Sequence, residues 1–312
     1  MVLTNPEVKL LDQYVKKTLQ NIQKLMDRTP NCVVAFLGGH LPGSAVLHMR
    51  QLSIFGMICR LPGTPLYQIA EYLLITAKST SSSWFIQIRD LCLKYCLPSP
   101  LSLLQCPPTK ARYKSLVRSK ITNFWEIKLR AEASGMPSSL QYFKPEFMSL
   151  QKPHPIWTTC GSNPFEVHKA VTQARMLSGR YITDKLARHW TENRSGTCQL
   201  LTCRSSQVVG SLEHILLFCP ALFQVRARMQ LQSLKKASAN KDIFRVVLKY
   251  IINGDTNSKT QFLLDCSALP EVICLGQKLG IQALELLFSI SRNWCYSIHR
   301  TRMNKLGFYQ FR

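Results

Sequence analysis

The run CQLLTCRSSQVVGSLEHILLFCP sets Cys198, Cys203, His214 and Cys219 in Cys-x4-Cys-x10-His-x4-Cys order. No other feature constrains the chain as much. Three thiolates and an imidazole are the ligand set of a closed, four-coordinate structural zinc site. Each pair of ligands closes a short loop, and 204–210 between the pairs is polar and turn-like. His214 and Cys219 share one short apolar run. Five residues on an ideal helix lie about 140° apart, so these two converge only if the turn tightens or the helix ends. Pro220, directly after Cys219, supplies such a stop. Glu213 stands beside the histidine, where a carboxylate can orient the ring from behind. The competing reading is that chance spacing among twelve cysteines leaves Cys219 a buried thiol. Ligand type, order and loop length favour the metal.

Charge points to a polyanionic partner. The chain carries 40 Lys+Arg against 17 Asp+Glu, a formal net charge of +23. A compact body with that excess repels itself unless a polyanion neutralises it. RNA or DNA is the usual neutraliser, with binding that weakens steeply as salt rises. An anionic membrane is the rival, but no stretch packs its like charges into a detachable tail. The basic residues run the full length, which suits a groove or stripe. No segment reaches 18 consecutive apolar residues, and the N-terminus lacks the apolar core of a signal peptide. These features place the chain in a reducing compartment, nucleus or cytoplasm, and give its cysteines metal or core roles rather than disulfides.

Helical periodicity dominates, so the expected fold is mainly α: a helical region, a small Cys/His module and a C-terminal helical region. Apolar residues at 11, 15, 19, 22 and 26 mark a helix over 10–26. A Gly/Pro turn from Phe36 leads into a helix over 47–61. Others follow at 66–77, 84–95 and 110–133, the last strongly basic. Prolines 137, 145, 153 and 155 interrupt the pattern. The organisation expected is thus 1–135 helical, 136–162 a Pro-rich connection, 163–230 a helix plus the Cys/His module, and 231–312 helical. Asn163-Pro164 supplies an N-cap and a first-turn proline. The helix it starts sets Val167, Ala170, Val171, Ala174 and Leu177 on one arc, with Lys169, Gln173 and Arg180 across from them and Gly179 at its end. Beyond the module, 221–234 is basic and helical, 241–252 is a helix or a buried strand, and one long helix covers 275–302. Its stripe is Leu284, Leu287, Phe288, Trp294, Cys295 and Ile298.

Other constellations are weaker. Cys92 and Cys96, one helical turn apart, lack a second pair and are expected as buried thiols, as are Cys59, Cys266, Cys274 and Cys295. His168 and His189, each near basic residues, are expected to be solvated or phosphate-facing rather than ligands. Trp125, among the basic residues of 120–130, shares an arc with Val117 and Ile121 and is expected in the core. Arg175, Arg180, Lys185 and Arg188 precede the module and are the candidate nucleic-acid contacts. No phosphate loop, His-Glu-x-x-His, Gly-x-Ser-x-Gly or pair of adjacent aspartates appears. Asp242, Asp255, Asp265 and Glu271 remain the candidates for a divalent-metal nuclease. A non-catalytic helical scaffold is the third reading.

The stretch QARMLSGRYITDKLARHW, then Cys-x4-Cys, then GSLEHILLFCPAL, resembles the region downstream of the polymerase palm in non-LTR retrotransposon reverse transcriptases. These proteins commonly close with a module ending Glu-His-x-Leu-x-x-Cys-Pro, matched by Glu213, His214, Leu216, Cys219 and Pro220. Segments 36–63 and 147–167 are similar to the same group, the first as thumb or connector. The resemblance implies a zinc-stabilised, nucleic-acid-binding C-terminal portion of an RNA-directed DNA polymerase. It implies no catalysis by this chain alone, because the family's Asp-Asp palm has no counterpart here. The missing polymerase portion of the same element is then an expected partner.

Overall fold

A computed structural model describes residues 4–78, 83–187, 196–204 and 207–307. The fold is mainly α; a single antiparallel bridge, Thr197 with Val209, is the extended pairing among the described residues. The first helices are α1 (Asn5–Ile22), α2 (Asn31–Gly38), α3 (Gly43–Ile58), α4 (Pro65–Thr76), α5 (Trp84–Lys94), α6 (Pro100–Gln105) and α7 (Lys110–Ser134). Their starts follow local chemistry. Thr64, Ser99 and Thr109 each accept a backbone N–H of the first turn, and Pro65 and Pro100 sit where no intrahelical donor is needed. α3 and α7 pack against each other, flanked by α1 and α2 on one side and α4 to α6 on the other. Trp125 is buried as its arc predicts, with Lys128 over its ring at 4.6 Å.

The Pro-rich segment is packed mortar. Leu140, Phe143, Leu150 and Ile156 are buried in the same apolar cluster as the helices on either side. Two glycines permit close backbone approach. Gly39 has φ +65°, and an added Cβ would lie 2.3 Å from the Lys152 carbonyl carbon. At Gly179, also φ +65°, a Cβ would lie 1.9 Å from the Ser139 oxygen. His154 donates its backbone N–H to the Leu37 carbonyl at 3.0 Å, tying this segment to α2.

The second half contains α8 (Pro155–Thr158), α9 (Pro164–Leu177), α10 (Asp184–Ala187), α11 (Leu201–Arg204), α12 (Phe223–Ala237), α13 (Lys241–Val247), α14 (Thr256–Leu264), α15 (Pro270–Leu279) and α16 (Ile281–Lys305). α16 is the spine, lying against α9, α12, α14 and α15. Asn163 caps α9 as its sequence predicts, accepting from Phe165.

Several expectations are corrected. The expected helix over 275–302 is two helices, broken at Gly280, whose φ of +70° is open to glycine. Of the two readings open for 241–252 the helix is the one found, ending in a wide turn over Leu248–Ile252. Lys169 and Gln173 are buried: α9 is enclosed by α14 and α16, and Gln173 donates to the Leu263 carbonyl at 2.8 Å and to Ser291 Oγ at 3.0 Å. Cys96 and Cys274 are exposed, whereas Cys59, Cys92, Cys266 and Cys295 are buried as expected. No single described helix is long and apolar enough to cross a membrane.

Candidate metal centre

Four short pieces of backbone bring the Cys/His ligands together. Gly210 donates its N–H to the Gly196 carbonyl at 2.9 Å and Cys198 to Val208 at 2.8 Å, so the chain on either side of the loop is paired. That pairing sets Cys198. Cys203 lies on α11, with its N–H on the Leu200 carbonyl at 2.8 Å. The other two ligands bound a π turn over His214–Phe218. Here the turn widens rather than tightens: Cys219 donates its backbone N–H to the His214 carbonyl at 2.7 Å, five residues back. A hydrogen bond of that span stacks residues i and i+5 near one another, and such turns recur at functional sites. Pro220 then opens a single 3-10 turn, Pro220–Leu222, and ends the π geometry.

All four ligand residues are buried, and their ligand atoms lie within 4.8 Å of one another. Cys203 Sγ is 3.6 Å from both Cys219 Sγ and His214 Nε2, and Cys198 Sγ is 4.0 Å from Cys219 Sγ. Tetrahedral zinc with Zn–S near 2.3 Å needs sulfurs about 3.8 Å apart. The cluster therefore fits a four-coordinate ion, and none of its cysteines is in a disulfide. Among the described residues it is the one such group of potential ligands.

Electrostatics explain why the cluster suits a cation. The Cys198 thiol is pulled down to about 4, first by the hydrogen bond from Cys219 and further by His214 and Cys203. Cys203 is pushed up, chiefly by burial, and Cys219 is pushed up because it gives its hydrogen bond to the charged Cys198. One thiol lowered and two raised by their shared hydrogen bonds and burial form a donor set from which a bound divalent cation would displace the remaining protons. Arg226 of α12 stands beside the cluster. Burial pushes its pKa down, and the Cys219 and Cys203 sulfurs oppose that.

Glu213 departs from the expected role. Its carboxylate accepts from the Tyr142 hydroxyl at 3.0 Å, which ties the module to the Pro-rich segment. Ser211 Oγ accepts the His214 N–H at 3.2 Å. Tyr142 carried no local signal in the sequence, because its partner Glu213 is 71 residues away. Arg226 lies close after Cys219 in a basic helix, and only the fold turns this one of its cations to the cluster.

The candidate nucleic-acid contacts do not share one environment. Arg175 donates from Nε to the Lys24 carbonyl at 2.8 Å, joining α9 to the loop after α1, and burial pushes its pKa down. Arg180 has its Nε buried with no acceptor among the described residues. Lys185 is exposed, and its N–H is held by the Gly210 carbonyl at 3.2 Å. Arg188 and His189 lie outside the described residues; His168 is exposed, as expected. The four downstream carboxylates are separately engaged. Asp242 pairs with Lys278 at 2.6 Å, Asp255 caps α14, buried Asp265 faces His154 at 3.4 Å, and Glu271 accepts from Lys249 and Tyr250.

The fold and the site together define a mainly α protein with a buried Cys3His cluster compatible with a metal ion. Comparison with protein-family models, curated proteins and solved structures finds no match.

Proposed function

We propose that Cys198, Cys203, His214 and Cys219 hold one structural zinc ion in a basic helical protein that binds RNA or DNA. The closed, buried Cys3His geometry carries the reading. All four positions of a tetrahedral ion are taken by protein ligands, so the ion has no open position for chemistry and acts as a staple. Thiolates with an imidazole select zinc over the hard cations that prefer oxygen. The +23 charge supports the nucleic-acid partner. The resemblance to the C-terminal region of non-LTR retrotransposon reverse transcriptases supports both, with the polymerase portion of such an element as a partner.

Elemental analysis of the purified protein tests the first half, with one zinc per chain expected. Protein that is metal-free and melts unchanged overturns it. Fluorescence anisotropy with labelled single-stranded RNA and DNA across a salt series tests the second half. Affinity should fall linearly in log K against log salt; absence of salt-dependent binding to either strand overturns it.

A further inference from the structure

Helices α9, α12 and α16 enclose an open groove of about 650 Å³, lined by Lys169, Lys235, Lys236 and Arg300 together with the rings of Phe165 and Tyr296. The other lining side chains are neutral, and no carboxylate faces the groove. Lys169 is buried and paired, which leaves Lys235, Lys236 and Arg300 as the exposed positive charges of the groove. The nearest acid, Glu166, is turned to Lys169 at 2.6 Å and to the buried Arg292 at 3.8 Å. Lys236 is crowded in the same way: burial and the neighbouring Lys169 charge push its pKa down.

A helix C-terminus attracts cations by itself, and Lys235 and Lys236 stand in the last turn of α12. Arg300 does not share that reason, since it lies inside α16 and comes to the groove from the opposite wall. The rings add a second, independent observation. Phe165 meets Tyr296 edge to face at 5.4 Å, and Phe165 is 51% exposed. A large ring left half in water, on a groove whose rim carries exposed Lys235, Lys236 and Arg300, matches a surface that meets bases as well as phosphates.

We propose that this groove is a single-stranded nucleic-acid track, with Lys235, Lys236 and Arg300 on the phosphates and Tyr296 and Phe165 against the bases. The proposal rests on the nucleic-acid reading above and assigns a place to it. A single strand is favoured over a duplex because rings on the wall gain contact only with bases that are unpaired.

The test uses the full chain, a fluorescein-labelled 20-nucleotide oligo(U), a duplex of equal length, and inorganic tripolyphosphate as competitor. Lys235→Gln with Arg300→Gln removes two exposed cations. Lys9→Gln with Arg28→Gln removes the same charge from the exposed α1 region and serves as control. The groove variant should flatten the salt slope by about 1.4, roughly 0.7 for each lost phosphate contact. The control should keep the wild-type slope. Tyr296→Leu should weaken oligo(U) about tenfold without changing the slope. Wild-type binding with an unchanged groove variant overturns the groove and leaves the nucleic-acid reading standing. Equal losses in groove and control variants overturn it too, as general charge attraction. Tripolyphosphate that competes at the oligonucleotide's own concentration shows a small-anion site and overturns the strand. Wild-type protein that binds none of the probes overturns the nucleic-acid reading itself.

Discussion

Arg302, near the end of α16, reaches the Asp184 carboxylate at 3.4 Å, with both side chains at most 5% exposed. Its other terminal nitrogen donates to the Ile182 carbonyl at 2.8 Å. Asp184 also backs onto the metal module: a Cβ on Gly210 would lie 2.6 Å from the Asp184 side chain. One buried ion pair thus fastens the C-terminal helix to the platform on which the Cys/His loop sits. Arg302→Ala leaves that carboxylate buried without its cation, and should cost about 3–5 kcal/mol in urea unfolding. A loss under 1 kcal/mol would show that Asp184 is served by other partners.

Metal removal should unfold the module locally. Binding free energy in such small sites is folding free energy, on the order of 10 kcal/mol. Cys203→Ser should therefore lose the metal and lower the melting temperature, and a chelator should do the same to the wild type. Cobalt(II) substitution gives an optical check, because tetrahedral thiolate coordination produces intense visible bands. A cobalt spectrum unchanged in Cys203→Ser would remove that cysteine from the ligand set.

Arg226→Gln tests the balance of charge. Three thiolates and a divalent ion leave one net negative charge, and Arg226 is the cation beside it. Its loss should weaken metal affinity about tenfold in competition with a chelator, while leaving the ligand set and the cobalt spectrum intact.

Acid should destabilise the N-terminal helices through His48. Burial pushes this imidazole down to about 4 from an ordinary 6.5, and Nδ1 shares a 2.6 Å hydrogen bond with the Tyr95 hydroxyl. The unfolded chain takes up a proton near 6.5 and the folded one resists until about 4. The stability this contributes is complete above 6.5 and is lost as pH falls to 4, by up to about 3 kcal/mol. His48→Gln should show a correspondingly shallower acid limb when unfolding free energy is followed between pH 8 and 4.

Arg175 should act through packing. Its side chain is committed to the Lys24 carbonyl, so Arg175→Ala should cost about 1.5–3 kcal/mol of stability. Nucleic-acid affinity measured on the folded variant should change less than twofold. A tenfold loss of affinity with unchanged stability would return Arg175 to the phosphate surface.

The sequence by itself determined the Cys/His cluster and most helices, because both depend on residues close along the chain. Cys198, Cys203, His214 and Cys219 declare their chemistry through type and spacing, and Asn163-Pro164 declares a helix start through its own capping bond. Trp125 was legible as core from the arc it shares with Val117 and Ile121. Tertiary structure decided what depends on distant partners. Lys169 and Gln173 sit on the polar arc of α9, yet both are buried because α14 and α16 close over them with matching acceptors. Glu213 lies next to His214 in sequence but turns to Tyr142, 71 residues away. The π turn that unites His214 with Cys219 is likewise a tertiary outcome. A helix gains little locally by widening, and packing of the turn against α12, α14 and α16 selects the geometry that the spacing alone leaves open.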